Sequence, residues 1–178
     1  QEMGLSSGAE VAAVAEREAF ARFPLVPPPQ PQASRFEGLF LPGTYAIRLP
    51  ERSEGESEQS YRYRATALLI TTLLERAAAT ERQVKPQRGL DAYQLLVLAS
   101  IVQKEAAGGT DYRMVASVFF NRLANGMKLD SDPTVQYALG YDEEKHTWWK
   151  NPLSQTDLQV DSRYNTYVYP GLPPGPIA

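Results

Sequence analysis

Apolar residues recur at helical spacing along several stretches of the chain, and these stretches predict a mainly helical protein. The longest predicted helix runs from about Tyr61 to Arg82, and the most apolar one runs from Asp91 to Glu105. Shorter helices are predicted over residues 111–123 and 132–139, and an N-terminal helix over residues 6–23. The chain is long enough for these helices to bury one sizeable core.

Capping signals indicate where these helices begin and end. Asp91 is followed three residues later by a glutamine, which together make a capping box. Residue 110 or 111 can cap the next helix, and Gly126 suits the left-handed position that follows a helix end. Asp132 before Pro133 is typical of an N-cap followed by proline at the first helical position. These signals predict well-defined helix ends on either side of Glu105.

The remaining segments predict short strands and linkers. Residues 36–47 and 163–169 have the pattern of short extended pieces, and the acidic, serine-rich residues 51–59 predict a loop. The proline-rich residues 25–32 predict a stiff linker. We therefore predict an α+β fold that is mainly helical, with a helix and linker over residues 1–33 and a larger domain over 34–178.

Composition excludes several classes of site. The chain has no cysteine and a single histidine, His146, which excludes thiol nucleophiles and clusters of cysteine or histidine ligands. The formal net charge is −3 and no basic stripe stands out, so there is no electrostatic footprint for nucleic acid. No apolar run reaches the length of a membrane-spanning helix.

Glu105 is the first candidate for chemistry. At helical spacing it shares a face with Leu98, Ile101 and Val102, so we expect apolar surroundings that keep its carboxyl uncharged and able to donate a proton. The glycines at 108–109 would let a bulky ligand approach the backbone. The alternative is a glutamate that is exposed at a helix end or paired with a nearby arginine or lysine.

Other candidate side chains follow Glu105 along the chain. An amide or guanidinium at the end of the next helix could reach back to the Glu105 carboxyl or bind a sugar, and the N-terminal turns of the helix after it could contact a polar ligand. The alternatives are a polar helix face and a simple helix cap. These candidates are Asn121, Arg122, Asp132, Thr134, Gln136 and Tyr137.

Aromatic and polar residues alternate near the C-terminus. In a strand, Tyr164 and Thr166 would face one way, and Asn165 and Tyr167 the other. This pattern predicts either a half-buried strand or a binding wall on which rings stack against sugars while Asn165 donates hydrogen bonds. The tryptophans at 148–149 are a second possible platform, although a loop that packs its own tryptophans is the favoured interpretation.

Five motifs in the same order resemble the YceG-like proteins, the MltG endolytic murein transglycosylases of bacteria. The resemblance implies an enzyme that cuts peptidoglycan strands internally, between MurNAc and GlcNAc, and leaves 1,6-anhydroMurNAc ends without a metal or organic cofactor. The motifs are FEGLFLPGTY (36–45), LASIVQKE (98–105), VASVFFNRL (115–123), SDPTVQY (131–137) and YNTYVYPGLPPGPIA (164–178).

The same resemblance assigns the catalytic role to Glu105, which would act first as general acid and then as general base. Many members carry a second glutamate two residues earlier, where this chain has Gln103. The chain also departs from the pattern at Gly43, where aspartate is common, and at Arg163, where proline is common. The departure at Gln103 leaves Glu105 as the single catalytic acid that the resemblance implies, and the other two do not touch the proposed chemistry.

The resemblance also implies a setting in the cell. Members have a lysozyme-like catalytic domain on the outer face of the plasma membrane, preceded by a membrane-spanning helix and a small LysM-like subdomain. By this comparison, the chain is expected to begin near the end of that subdomain and to stop before the catalytic domain is complete. Peptidoglycan strands are the implied partner, with peptidoglycan synthases and the divisome as further candidates.

Two other functions fit the residues. A lysozyme-like hydrolase would use the same acid with a second carboxylate, for which Asp132 is the candidate. A non-catalytic glycan-binding module would use Tyr164, Tyr167 and Trp148 for stacking. A pyridoxal-phosphate lyase is set aside, because Lys104 lies beside the apolar helix face rather than within it.

Overall fold

The chain divides into two compact units. One consists of Gln1–Pro28 with Leu39–Val84, and the other of Pro29–Gly38 with Lys85–Ala178. A computed structural model describes residues 36–106 and 111–177, with residues 11, 13 and 14 of the N-terminal segment. Most of the predicted helix over 6–23 and all of the linker over 25–32 lie outside the described residues. The predicted domain boundary near residue 34 stays a prediction.

The first unit contains the long helix α1, Glu58–Glu81. It begins slightly before the predicted start, because Ser57 caps it by accepting the backbone N–H of Ser60. The preceding acidic loop is organised by Glu56, whose carboxylate accepts two hydrogen bonds from the Arg64 guanidinium. This pairing lowers the pKa of Glu56 to about 2. The helix buries small and branched side chains, among them Ala65, Thr66, Ile70, Leu74, Ala77 and Ala78.

The second unit contains three α-helices among its described residues, α2 (Ala92–Glu105), α3 (Tyr112–Ala124) and α4 (Asp132–Leu139), and a 3-10 turn at Asp157–Gln159. Asp91 and Gln94 form the predicted capping box of α2. Helix α3 is capped by Asp111 and is followed, after its C-cap residue, by Gly126, which has φ 65°. The N–H groups of Gly126 and Met127 bond back to the carbonyls of Leu123 and Arg122, as in a Schellman motif.

The core of the second unit lies between these helices and the C-terminal segment. Ser100 of α2 accepts the backbone N–H of Ile177 at 2.9 Å, which holds the end of the described chain against the helix. Gly38 has φ 72°, and a side chain there would lie 3.1 Å from Pro176. Only glycine fits this approach without displacing the C-terminal segment. The buried cluster consists of Leu98, Ile101, Val102, Phe119, Leu129, Tyr164 and Ile177.

The mainly helical prediction is confirmed, but the predicted strands are wrong. In the described part of the chain, β structure is limited to two isolated bridges, Gln87–Leu90 and Asp142–Thr147. Residues 163–169 form turns, and three consecutive residues at 164–166 are buried, which no half-buried strand allows. The lysozyme-like and LysM-like assignments stay predictions. None of the described helices is long and apolar enough to span a membrane.

Candidate active site

Glu105 is the last residue of α2, and its side chain is exposed. The predicted apolar surroundings are therefore wrong. Ile101 and Val102, one turn earlier on the same face, are buried in the core, and Ala106 directly after the helix is also buried, but the Glu105 side chain itself opens to the surface. The glycines at 108–109 lie outside the described residues.

The Glu105 carboxylate is held by Ser131 rather than by Asn121 or Arg122. The Ser131 hydroxyl donates to Glu105 Oε1 at 2.7 Å. Ser131 is fully buried and is the N-cap residue of α4, a place that the sequence had assigned to Asp132. Its hydroxyl accepts no capping hydrogen bond, and it donates its proton to Glu105. The positive end of the α4 dipole thus lies against the carboxylate.

A buried network of hydroxyl groups fixes Ser131 in turn. Thr134 Oγ1 donates to the Ser131 carbonyl at 2.6 Å, and Thr166 Oγ1 accepts the Ser131 N–H at 3.0 Å. The two threonine oxygens are 2.8 Å apart. Because a hydroxyl has one proton and that of Thr134 is used, Thr166 must be the donor between them. The predicted residues Thr134 and Thr166 are therefore brought together as supports of the site.

Tyr167 and Asp132 form a second pair beside this network. The Tyr167 hydroxyl donates to Asp132 Oδ1 at 2.7 Å. Partial burial raises the pKa of Tyr167 to about 12, with further contributions from the Asp132 carboxylate and from the charges of Asp130 and Glu105. Tyr167 therefore keeps its proton at physiological pH and acts as a hydrogen-bond donor next to Glu105.

Two of the predicted polar residues are bound to other partners, and a third is exposed on α3. The Arg122 guanidinium binds the Leu129 carbonyl and the Asp130 carboxylate, so its predicted contact with Glu105 is wrong. The Asn165 amide is buried and donates both of its protons to the carbonyls of residues 158 and 160, which leaves none for a sugar. Asn121 is exposed on α3, and its role as a substrate contact stays a prediction.

Tyr164 belongs to the core rather than to a binding wall. Its side chain is 2% exposed, and its ring centroid lies 4.7 Å from that of Tyr137. Desolvation by burial raises the pKa of Tyr164 and, to a smaller extent, that of Tyr137, whose hydroxyl is also influenced by the Glu37 carboxylate. Tyr164 therefore packs against Tyr137 from within the core, and the predicted stacking of Tyr164 on a sugar is wrong.

A cavity of about 440 Å³ lies beside the end of α2. Its lining includes Glu37, which the sequence patterns did not single out, and Trp148, whose side chain is 57% exposed. The interpretation that the loop packs its own tryptophans holds only in part for Trp148, which contacts Tyr141 but stays largely exposed. The full lining is Glu37, Lys104, Tyr137, Trp148 and Trp149. In the described part of the chain, no group of histidine, cysteine, aspartate or glutamate side chains is arranged to hold a metal ion.

Comparison with known proteins identifies the family of the chain. The YceG-like family matches residues 4–178, which is nearly the whole chain. The chain belongs to the YceG-like family. A solved structure of a YceG-like protein from Listeria monocytogenes has the same fold, with a TM-score of 0.66 and 32% sequence identity over 98% of this chain.

Two curated YceG-like relatives carry a functional name. Proteins named endolytic murein transglycosylase, from Bacillus subtilis and Streptococcus pneumoniae, are 34% and 33% identical to this chain over 80% of its length. The chain spans 35% and 24% of the length of these two relatives, and 51% of the Listeria chain. The activity of the whole protein is therefore a matter for proposal.

The loop that carries Trp148 and Trp149, here called the tryptophan loop, is anchored on both sides in this YceG-like chain. Gln136 of α4 donates to the Lys150 carbonyl at 2.8 Å, so this predicted site residue positions the loop. The Lys150 ammonium pairs with the Asp157 carboxylate at 2.9 Å. Asp157 also accepts the backbone N–H and the hydroxyl of Ser154. These bonds, with that to the Ser154 N–H the strongest, lower the pKa of Asp157 to about 2.

Asp157→Asn is expected to loosen the tryptophan loop at neutral pH. A carboxyl whose pKa is lower in the folded than in the unfolded chain contributes stability above its unfolded pKa of 3.8, and this is lost as the pH falls towards about 2. Wild-type tryptophan emission should therefore stay constant from pH 8 to about 4 and change below it. The variant should already show the altered emission at pH 7. Identical pH profiles of the two proteins would contradict the anchoring role.

Proposed function

We propose that this chain is the catalytic part of an endolytic murein transglycosylase, with Glu105 as its acid and base. The observation that carries the proposal is the hydrogen bond from Ser131, which fixes an exposed carboxylate at the end of α2 by means of a buried network. The names of the Bacillus and Streptococcus relatives support the same reaction. An exposed acid also suits endolytic cleavage, because an internal bond of a long strand can reach it from the side.

In the first step, the Glu105 carboxyl donates its proton to the oxygen of the MurNAc–GlcNAc bond as the bond from that oxygen to C1 of MurNAc breaks. The transition state has oxocarbenium-like character, as in other glycosidic cleavages. In the second step, the Glu105 carboxylate takes the proton of the MurNAc C6 hydroxyl, and that oxygen forms a bond to C1. The two steps return the proton to Glu105 and add no water.

Ser131 would orient the Glu105 carboxylate, and Tyr167 would hold the turn that begins α4. The Ser131 hydroxyl donates to the carboxylate and so keeps it oriented towards the C6 hydroxyl in the second step. The Tyr167 hydroxyl, which stays protonated, is directed to Asp132 and holds the adjoining turn in place. Neither group needs to exchange a proton with the substrate.

Hydrolysis by a second carboxylate is the less favoured reaction. Asp132 is the candidate, and one of its oxygens already accepts the Tyr167 hydroxyl. A base that activates water needs a free oxygen directed at the sugar. The relatives' name also describes a transglycosylase rather than a hydrolase.

Digestion of purified murein is the test of the proposed function. We expect fragments with 1,6-anhydroMurNAc ends, each lighter by one water molecule than the corresponding hydrolysis product, and mass spectrometry of the digest measures this difference. Internal cleavage should shorten long strands before small fragments accumulate. Products that carry the extra water would establish the hydrolase, and an unchanged digest would contradict both enzymes.

We also propose the setting implied by the family resemblance. The full-length protein would be anchored in the plasma membrane by a single helix, with this catalytic part outside the cytoplasm, and would act on strands emerging from peptidoglycan synthases. Protease treatment of intact protoplasts tests the location, since a catalytic part on the outer face should be degraded while cytoplasmic proteins survive.

A further inference from the structure

Both tryptophans of the chain line the same cavity. The sequence contains two, Trp148 and Trp149, and they share the cavity with Tyr137, Glu37 and Lys104. A volume of about 440 Å³ lies within the range of small-molecule sites. Trp148 is 57% exposed and leans on Tyr141, with ring centroids 5.5 Å apart. The cavity therefore combines open aromatic faces with a few polar groups.

The aromatic wall is held in place by hydrogen bonds within the chain. The backbone of Trp149 donates to the Thr147 hydroxyl at 3.0 Å, and an isolated bridge joins Asp142 to Thr147 at the base of the loop. Gln136 holds the Lys150 carbonyl on the other side. A wall that is already ordered loses little conformational entropy when a ligand binds.

The charges of the cavity favour a neutral ligand. The Lys104 ammonium lies 4.0 Å from the centroid of the Trp149 ring, so its charge is already engaged in a cation–π interaction. The Glu37 carboxylate provides one negative charge that balances Lys104. Because the lining has no net charge, the cavity can recognise a ligand that has an apolar face and hydrogen-bonding edges. A sugar ring has both.

We propose that this cavity is a saccharide subsite that binds an N-acetylhexosamine unit of a glycan strand. The ring face of the sugar packs on Trp148 and Trp149, and its acetamido N–H donates to the Glu37 carboxylate. This inference rests on the proposed function and deepens it. Lys104 lines the cavity and directly precedes Glu105 in α2, so the subsite lies at the same end of the helix as the acid.

Tryptophan fluorescence tests the subsite directly, because both fluorophores lie in it. Titration of the whole chain with chitotetraose, a neutral N-acetylglucosamine oligomer, should change the emission in a saturable way. Trp148→Ala should weaken binding at least about tenfold, with Trp149 as the remaining reporter, and Trp148→Phe should restore part of it. Trp148 is largely exposed, so its loss should leave the thermal unfolding temperature unchanged.

Tyr112→Ala is the matched control, since Tyr112 is an exposed aromatic residue on α3 that does not line the cavity. Its affinity for chitotetraose should equal that of the wild type. A flat wild-type titration, or equal affinities of wild type and Trp148→Ala, would overturn the subsite even if the murein digest yields anhydro products. Saturable binding that depends on Trp148, together with a failed digest, would support the subsite and reject the transglycosylase.

Discussion

Replacing Glu105 by glutamine is expected to abolish the formation of 1,6-anhydroMurNAc ends while the fold stays intact. Glutamine has nearly the shape of glutamate, and its carbonyl oxygen can still accept the Ser131 hydroxyl. It cannot donate a proton to the glycosidic oxygen or take one from the C6 hydroxyl. General acid–base catalysis contributes about 10²–10⁴-fold per step, and one residue serves both steps here, so we expect a loss of at least about 10³-fold.

Product masses from murein, measured over a time course, quantify this loss. Glu105 is exposed, so the free energy of unfolding should change by less than about 0.5 kcal/mol. Glu144→Gln is the matched control, because it removes another exposed carboxylate of the same unit and should retain wild-type turnover. Anhydro products from Glu105→Gln at the wild-type rate would falsify the assignment.

The helix ends near the site could be predicted because their signals are local. The capping box at Asp91 involves a residue three positions away, and the glycine at the end of α3 needs only its own backbone conformation. Such features depend on a few neighbouring residues, which the sequence displays directly. The apolar pattern of α2 likewise placed Glu105 at its C-terminal end.

The burial of Glu105 could not be predicted, because burial depends on what packs against a helix. The apolar pattern of α2 continues to its last turn, where Val102 is buried, yet Glu105 in the same turn is exposed. The turns at 163–169 show the same limit. Their alternation of aromatic and polar residues looks like a strand, yet Asn165 and Thr166 are buried. Asn165 bonds to carbonyls of the preceding turn, and Thr166 bonds to Ser131, which is distant in the sequence.

The partners of the site were missed for the same reason. Ser131 lies 26 residues from Glu105 in the sequence, and its motif indicated only a helix cap. Glu37 enters the cavity from a segment far from α2. The one local signal for Ser131 was its place before an Asp-Pro pair, where either residue can be the N-cap. The structure places Ser131 at the N-cap and Asp132 at the first helical position, and the Ser131 hydroxyl donates its proton to Glu105.

Ser131→Ala is expected to lower the turnover of murein about 10²-fold with little change in substrate affinity. The variant removes the hydroxyl that orients Glu105, and a misplacement of about 1 Å in a catalytic group has an effect of that size. The Ser131 N–H and carbonyl groups remain, so the hydrogen bonds to Thr166 and Thr134 are retained. Steady-state kinetics on soluble glycan strands should therefore show a lower kcat and an unchanged KM.

Comparison with Thr166→Val distinguishes an effect on the orientation of Glu105 from an effect on the stability of the buried network. It leaves the buried Ser131 N–H without its acceptor, which should cost about 1–3 kcal/mol in the free energy of unfolding. Ser131→Ala should lower the free energy of unfolding less than Thr166→Val does, but it should lower turnover more. The control is Ser117→Ala, which alters an exposed serine on α3 and should change neither stability nor turnover. If both network variants lose turnover only in proportion to their loss of stability, Ser131 supports the fold and does not orient Glu105.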